Sequence, residues 1–281
     1  MDVAVLVDPE TFLAGILASR RTRVVFDIHE NIPAQILTKR LPFKKLVARL
    51  AQVVINAAER AGRITLAEPG YCDLFSADHP VFENYPRWES LPDPGDSDGS
   101  VVYIGDITEQ RGALDLAEAT GAAGLNLVMV GRCSPDLAVA IEESVISAGG
   151  TVEMTGRLPW RAAMQRLATA AVAVSPLRNT PNYRNSLPTK VLEYLGMGVP
   201  VVATDLPGTA QVLRGRPGVW LVPASDVVAL RNAILDANNE VSRDAARAAV
   251  EIIRSEYEWP TERVRRFYSG VAGLPGMDPD R

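Results

Sequence analysis

A chain of 281 residues, 47% hydrophobic and 22% charged, has the composition of a folded protein with room for two domains, which excludes disorder as an overall reading. Its formal net charge of −5, with no marked run of Lys or Arg, gives little support to a nucleic-acid surface or a polybasic membrane patch, and leaves open only a local basic pocket. Two distant cysteines, Cys72 and Cys133, and only two histidines, His29 and His79, argue against a disulfide framework, a zinc site or a His-rich metal centre.

The opening MDVAVLVDPE is interrupted by Asp2, Asp8 and Glu10, so it reads neither as a secretion signal nor as a spanning segment. A cytoplasmic location is expected, and peripheral attachment at the inner membrane face is compatible with it. Strands are predicted over 3–7, 23–28, 63–67 and 81–85, with helical patterns near 10–19, 43–58 and 70–76 between them. LPDPGDSDGS (91–100) is dense in residues that disfavour helix and strand, and is the best linker in the chain. Beyond it, strands are predicted over 101–105, 125–131, 151–156, 171–176, 199–205 and 219–223, each followed by a helical segment. After Ser225 the chain reads as helical: VVALRNAILDA, then SRDAARAAVEIIRSEY, then PTERVRRFYSGV, ending in DPDR as a frayed tail.

This alternation predicts an α/β protein with two Rossmann-like domains and parallel sheets. Residues 1–90 form the first domain, 91–100 the linker and 101–256 a doubly wound second domain; 257–281 form a closing helix and tail. About four strands in ~90 residues is small for a doubly wound domain, so the first domain reads as incomplete.

In open parallel sheets ligands sit beyond the carboxyl ends of the strands, which draws attention to Gly105-Asp106, Gly131-Arg132, Gly156-Arg157 and the loop 177–187. A glycine there is usually only a tight turn. The stretch YRNSLPTKVLEYLGMGVPVVATD (183–205) is more specific. Ser186 is expected to cap a helix with Pro188 in its first turn, and Gly196 and Gly198 to end it. Helical spacing groups Pro188, Val191, Leu192 and Leu195 on an inner face and Thr189, Lys190, Glu193 and Tyr194 on a polar face toward the cleft. Spacing alone allows Lys190 and Glu193 to be a surface i, i+3 ion pair. The functional alternative is an anion site at the helix N-terminus, with Lys190 adding a cation and Glu193 accepting hydrogen bonds from vicinal hydroxyls.

NSLPTKVLEYLGMGVPVVATD resembles the PTK-x-x-EY-x-x-x-G-x-PV signature of many family-four glycosyltransferases of the GT-B fold. YIGDITEQRG (103–112), LVMVG, MTGRLP, FDIHENIPAQI (26–36), FENYPR (82–87) and YEWPTERVRRFY (257–268) match that family's remaining landmarks in order and spacing. The resemblance implies an enzyme that moves a sugar, a hexose in the commonest case, from a nucleoside-diphosphate sugar to an acceptor. Retention of anomeric configuration is implied with it, and so is a C-terminal helix that crosses back to the first domain. The nucleotide sugar, carried on UDP or GDP, is a substrate, and no metal or other cofactor is implied. The acceptor, whether a glycan, a lipid-linked molecule or a small molecule, stays open, and nucleic acid is not expected as a partner.

Carried over residue by residue, the resemblance implies that Glu193 binds the donor ribose and that Arg111 and Lys190 stabilise the leaving diphosphate. The backbone at Ser186 and Leu187 touches phosphate or sugar, while Gly105, Gly131 and Arg157 line the donor site at the strand ends. It also implies His29 near the reacting sugar as a catalytic group and Glu30 as an acceptor-side contact. Helix N-terminal charge would explain Glu30 equally well. Three departures stand out. Asn185 replaces the first glutamate of the family's Glu-x7-Glu motif, Gln211 stands where many members have a glutamate, and Asp106 follows Gly105 where an arginine is common. The first β-α units of the acceptor domain, with their glycine-rich loop, have no counterpart. A late-assigned start, a natural truncation and a degenerate protein keeping only the donor domain are the competing accounts. The alternative to an active transferase is therefore a non-catalytic nucleotide-sugar binding protein; an epimerase of the same fold would have only Asp27 and Glu30 as acid/base groups.

Overall fold

The computed structural model describes residues 3–7, 9–38 and 41–273, and the expected tail DPDR lies outside them. The chain divides into two compact units, Met1–Tyr85 with Trp259–Arg281, and Pro86–Glu258.

In the first unit, β1 (Val3–Leu6), α1 (Phe12–Ala18), β2 (Arg23–Ile28), α2 (Ile32–Thr38), α3 (Lys44–Ala61) and β3 (Arg63–Leu66) build a parallel three-stranded sheet in the order β1-β2-β3. RVVFDI is apolar on both faces at Val24, Val25 and Phe26 because β2 is the central strand, and Ile28 is buried with them. Phe12 of α1 meets Phe26 edge to face at 5.2 Å, and Ile55 and Ala58 of α3 are fully buried. The strand expected over 81–85 does not form: Val81 makes only an isolated bridge to Leu66. Beyond it the Tyr85 N–H turns back to the Glu83 carbonyl, and a donor used locally cannot extend a ladder.

The second unit carries β4 (Val101–Ile104), α4 (Ala113–Ala122), β5 (Asn126–Val130), α5 (Pro135–Ser147), β6 (Thr151–Gly156) and α6 (Trp160–Ala168). Then come β7 (Val172–Ser175), α7 (Thr189–Gly196), β8 (Val201–Thr204), α8 (Pro207–Leu213), β9 (Val219–Val222) and α9 (Val227–Ala237), followed by α10 (Glu240–Ala248) and α11 (Val250–Glu256). Its six parallel strands run β6-β5-β4-β7-β8-β9, the doubly wound 3-2-1-4-5-6 order, with the direction of winding reversing between β4 and β7. The single helix expected over 242–257 divides at Ala249, whose N–H reaches back only three residues to the Ala246 carbonyl. Finally α12 (Thr261–Ala272) belongs to the first unit, where Phe267 and Val271 bury with Val25 and Phe82.

Residues 91–100 lie in the second unit and are bonded to it. Gly95 N–H donates to Ala168 O, and Asp98 N–H to Thr169 O. The buried Arg243 guanidinium completes the attachment through Ala170 O at 2.9 Å and Gly95 O at 2.7 Å.

Candidate functional site

The site is built where β4 and β7 part. They pair only at Val101↔Val172 and Val102↔Ala173, whereas β4 and β5 pair along the whole of β4. Splaying leaves Ile104 N–H without a strand partner, and Tyr194 of α7 fills the gap: Ile104 N–H donates to Tyr194 Oη at 3.1 Å. Tyr194 is therefore fully buried, which corrects its placement on the polar, cleft-facing side of the helix. The aromatic ring plugs the opening in the sheet while the hydroxyl replaces a ladder acceptor.

The glycines after the strands are close-approach positions. At Gly131 (φ 158°) a β-carbon would lie 1.8 Å from Gly105 O, so the β4 and β5 ends can touch only because that carbon is missing. At Gly105 (φ 135°) a β-carbon would lie 3.4 Å from Arg111 Nη1 and 3.7 Å from Lys190 Nζ. Two cations thus converge on a glycine cradle at the end of the central strand.

Lys190 is part-exposed along its stem, but its Nζ is buried, has no hydrogen-bond partner among the described residues and lies 3.9 Å from the centroid of the Tyr103 ring. Burial first, and the Arg111 charge second, depress the ammonium to about 7, against the pull of Glu193. The Arg111 guanidinium sits 6.0 Å from the Tyr183 ring centroid. Glu193 makes no surface ion pair with the buried Lys190 Nζ: its Oε1 accepts from Trp160 Nε1 at 3.0 Å. Burial raises the Glu193 carboxyl above its ordinary value, opposed by the Trp160 bond and by Lys190.

Ser186 does not cap α7. The helix begins at Thr189 after an extended Pro188, with no side-chain cap, because Ser186 N–H turns back to Tyr183 O and holds that residue in the preceding loop. The exposed Asn185 and part-buried Ser186 are pressed onto the start of α8, where a β-carbon on Gly208 would lie 2.6 Å from Asn185 O. Leu187 is part-buried between this loop and the helix. Arg157 is exposed at the end of β6, close enough to help depress the Asp106 carboxyl, although the larger cause is the Arg132 hydrogen bond. Arg132 grips Asp106 bidentately at 3.1 and 3.0 Å, so the acid that departs from the family pattern is neutralised within the site. Asp106, Arg111, Arg132, Ser134 and Tyr183 line an open cavity of about 810 Å³.

His29 and Glu30 follow β2 in the first unit and border a separate cavity of about 340 Å³ there, together with Glu10 and Gln35. His29 Nε2 donates to Asp27 Oδ2 at 3.0 Å, and Asp27 Oδ1 accepts from Thr65 Oγ1 at 2.8 Å. Asn84 Nδ2 lies 3.3 Å from His29 Nδ1, which orients the ring from its other side.

Sequence reasoning missed Tyr103, Trp160 and Tyr183, the aromatic groups that surround Lys190, Glu193 and Arg111. Tyr103 stands two residues before Gly105 and Trp160 directly after GRLP, so their positions were readable; their contacts depend on elements distant in sequence. Among the described residues, no group of three or more His, Cys, Asp or Glu could hold a metal ion, and no helix is long and apolar enough to cross a membrane.

Solved structures share the fold, among them the following three. Sucrose-phosphate synthase from Thermosynechococcus elongatus superposes with a TM-score of 0.76 at 17% identity, over 96% of this chain and 74% of that one. The Anabaena protein HepE, in complex with UDP and glucose, gives 0.74 at 15% identity, over 94% and 77%. A glycosyltransferase from Rickettsia africae gives 0.67 at 12% identity, over 95% and 83%. At these identities the likeness shows the GT-B fold with its parallel α/β sheets, and not a substrate. No curated protein matches the chain by sequence. The decisive match runs over residues 98–239, half of the chain and most of the unit that holds the splayed strands: the chain belongs to the glycosyl transferases group 1 family.

Proposed function

We propose that the chain transfers a hexose from a UDP- or GDP-sugar to an acceptor, with retention, as a member of the family-four subgroup that carries the PTK-x-x-EY signature, and that it serves glycan biosynthesis. The observation that carries this reading is the convergence of Arg111 and Lys190 on Gly105 at the switch point of the sheet, with Glu193 one helical turn from Lys190. Breaking the bond between sugar and phosphate develops negative charge on the diphosphate. Cations held in place before the reaction stabilise that charge without reorganisation. Arg111 and Lys190 supply them, so the reaction needs no metal or cofactor from outside the chain.

Glu193 accepts the ribose hydroxyls, Trp160 orients it, and the first turn of α7 with the Ser186–Leu187 backbone meets the phosphates. Gly105 and Gly131 give the diphosphate close access to the backbone, Arg157 adds charge at the rim, and Asn185 contacts the sugar. HepE, of the same fold, is solved with UDP, with UDP and glucose, and with UDP-glucose, which supports a nucleotide-sugar donor here. His29, oriented by Asp27 and Asn84, acts at the reacting sugar, and Glu30 contacts the acceptor.

Calorimetric titration of UDP, GDP, UDP-glucose and GDP-mannose into the parent protein and Glu193→Ala tests the donor site. A ribose carboxylate is worth about tenfold to a hundredfold in Kd. Absence of binding to the parent, or equal binding to the variant, would sink the assignment. His29→Ala separates chemistry from binding: turnover should fall by at least tenfold while the donor Kd stays unchanged. Donor binding by the parent with no transfer to any acceptor would instead identify a nucleotide-sugar binding protein.

A further inference from the structure

The outer face of α3 is not explained by the nucleotide site or by the core. Its inner face buries Ala48, Ile55 and Ala58 in the first unit, which is all the packing an amphipathic helix requires. The outer face should then be polar, yet it carries Leu46, Leu50 and Val53 at 57, 57 and 63% exposure. These three are spaced i, i+4, i+7 and form one row. Phe43, at the head of the helix, is 81% exposed and holds a left-handed backbone (φ 55°), an uncommon conformation for a bulky residue. Leu41 before it and Leu37 on α2 extend the apolar surface at 46 and 43% exposure.

The charge along this stretch of sequence has one sign. Between Glu30 and Glu59 the sequence contains no Asp or Glu and does contain Lys39, Arg40, Lys44, Lys45 and Arg49, in a protein whose formal net charge is −5. Lys45 and Arg49 are exposed and, four residues apart, run alongside Leu46, Leu50 and Val53. A purely electrostatic surface for nucleic acid has no use for a leucine row and an outward phenylalanine. A protein partner would be expected to leave some acid in the patch for register. An exposed apolar row on one helix face, flanked by Lys45 and Arg49, matches the boundary between lipid headgroups and acyl chains.

We propose that this face of the first unit docks on an anionic lipid bilayer, with Phe43, Leu46, Leu50 and Val53 entering the acyl boundary and Lys44, Lys45 and Arg49 meeting headgroup phosphates. No contiguous basic run marks this surface in the sequence, and the proposal names the face by which peripheral attachment would occur. The cations are separated in sequence and gathered by the helix. The proposal stands independently of the donor-site reading.

The test is sedimentation of the full chain with vesicles of phosphatidylcholine alone and of phosphatidylcholine mixed with phosphatidylglycerol. Binding to the mixed vesicles, weakened by raised salt, is expected. The doubly substituted Lys45→Glu, Arg49→Glu protein should lose at least about fivefold of its partition coefficient for each cation removed. Leu46→Ser with Leu50→Ser should lose binding by a similar or larger factor, and both variants alter exposed residues, so their circular dichroism should match the parent. No binding to mixed vesicles overturns the proposal, as does binding that neither variant weakens. A concentration-dependent dimer broken by the same substitutions overturns it in favour of a second copy, and stronger capture by duplex DNA than by vesicles overturns it in favour of nucleic acid.

Discussion

Trp160 Nε1 donates to Glu193 Oε1 across 3.0 Å, so the acid of α7 is oriented by a side chain that stands thirty-three positions earlier. The bond restrains a carboxyl that burial pushes upward. Trp160→Phe keeps a ring and removes the N–H, so the Glu193 carboxyl should rise further and its grip on the ribose weaken. Affinity for UDP should fall about fivefold, the usual worth of one hydrogen bond. Preference for UDP over its 2′-deoxy analogue should shrink with it; calorimetry showing an unchanged preference would separate Trp160 from the ribose.

Lys190 predicts a pH dependence with a definite sign. Its ammonium is depressed from 10.5 to about 7 by burial and by Arg111. Between those values the unfolded chain holds the extra proton, so folded stability should rise with pH from about 7 to 10. An anionic diphosphate favours the charged form, so donor affinity should fall as pH climbs above about 7, by at most about tenfold per unit for one proton. Titrations of UDP at several pH values, in buffers of different ionisation enthalpy, read the affinity and the proton uptake together. In Lys190→Met the uptake should disappear; persistence would assign the proton to another group.

Tyr194→Phe removes one oxygen from the splayed strand. Ile104 N–H then loses its acceptor inside the second unit. The expected cost is about 1–3 kcal/mol, measured by urea unfolding. A change within a few tenths of a kcal/mol would mean that β4 closes onto β7 without the hydroxyl.

Gly131→Ala tests the contact between strand ends. The added carbon would stand 1.8 Å from Gly105 O, and backbone must move to relieve it. Overpacking of this kind costs about 1–3 kcal/mol, and the Gly105 cradle should lose UDP binding by at least tenfold. Parent-like binding and stability together would show that Gly105 is free to shift and is not a fixed cradle.

Much of this was legible in the residues. All nine strands coincide with predicted runs to within two residues at either end, β2 and β6 in full, because β-branched runs bounded by glycine and polar residues have few other uses. The exceptions share a cause. Val81–Tyr85 has strand-like composition, but Pro80 and Pro86 bracket it and, after a single bond from Phe82 N–H to Leu66 O, the Tyr85 N–H turns back to Glu83 O. Ser186 has the chemistry of a cap, but the turn from Tyr183 engages its backbone first. Segment 91–100 has linker composition, and the Arg243 guanidinium pins it to the second unit.

The sequence by itself determined the parallel α/β class, the glycines after the strands and the pairing of Lys190 with Glu193 on one helix face, since each rests on local propensity or short-range spacing; Arg111 became a candidate through the family resemblance. Only the tertiary structure decided their environments. Tyr103, Trp160 and Tyr194 reach those residues from other elements, and distance in space rather than in sequence governs desolvation and hydrogen bonding. The outward row on α3 belongs to the same class of fact: its periodicity is in the sequence, but which of its two apolar faces is spent on the core depends on where the sheet lies.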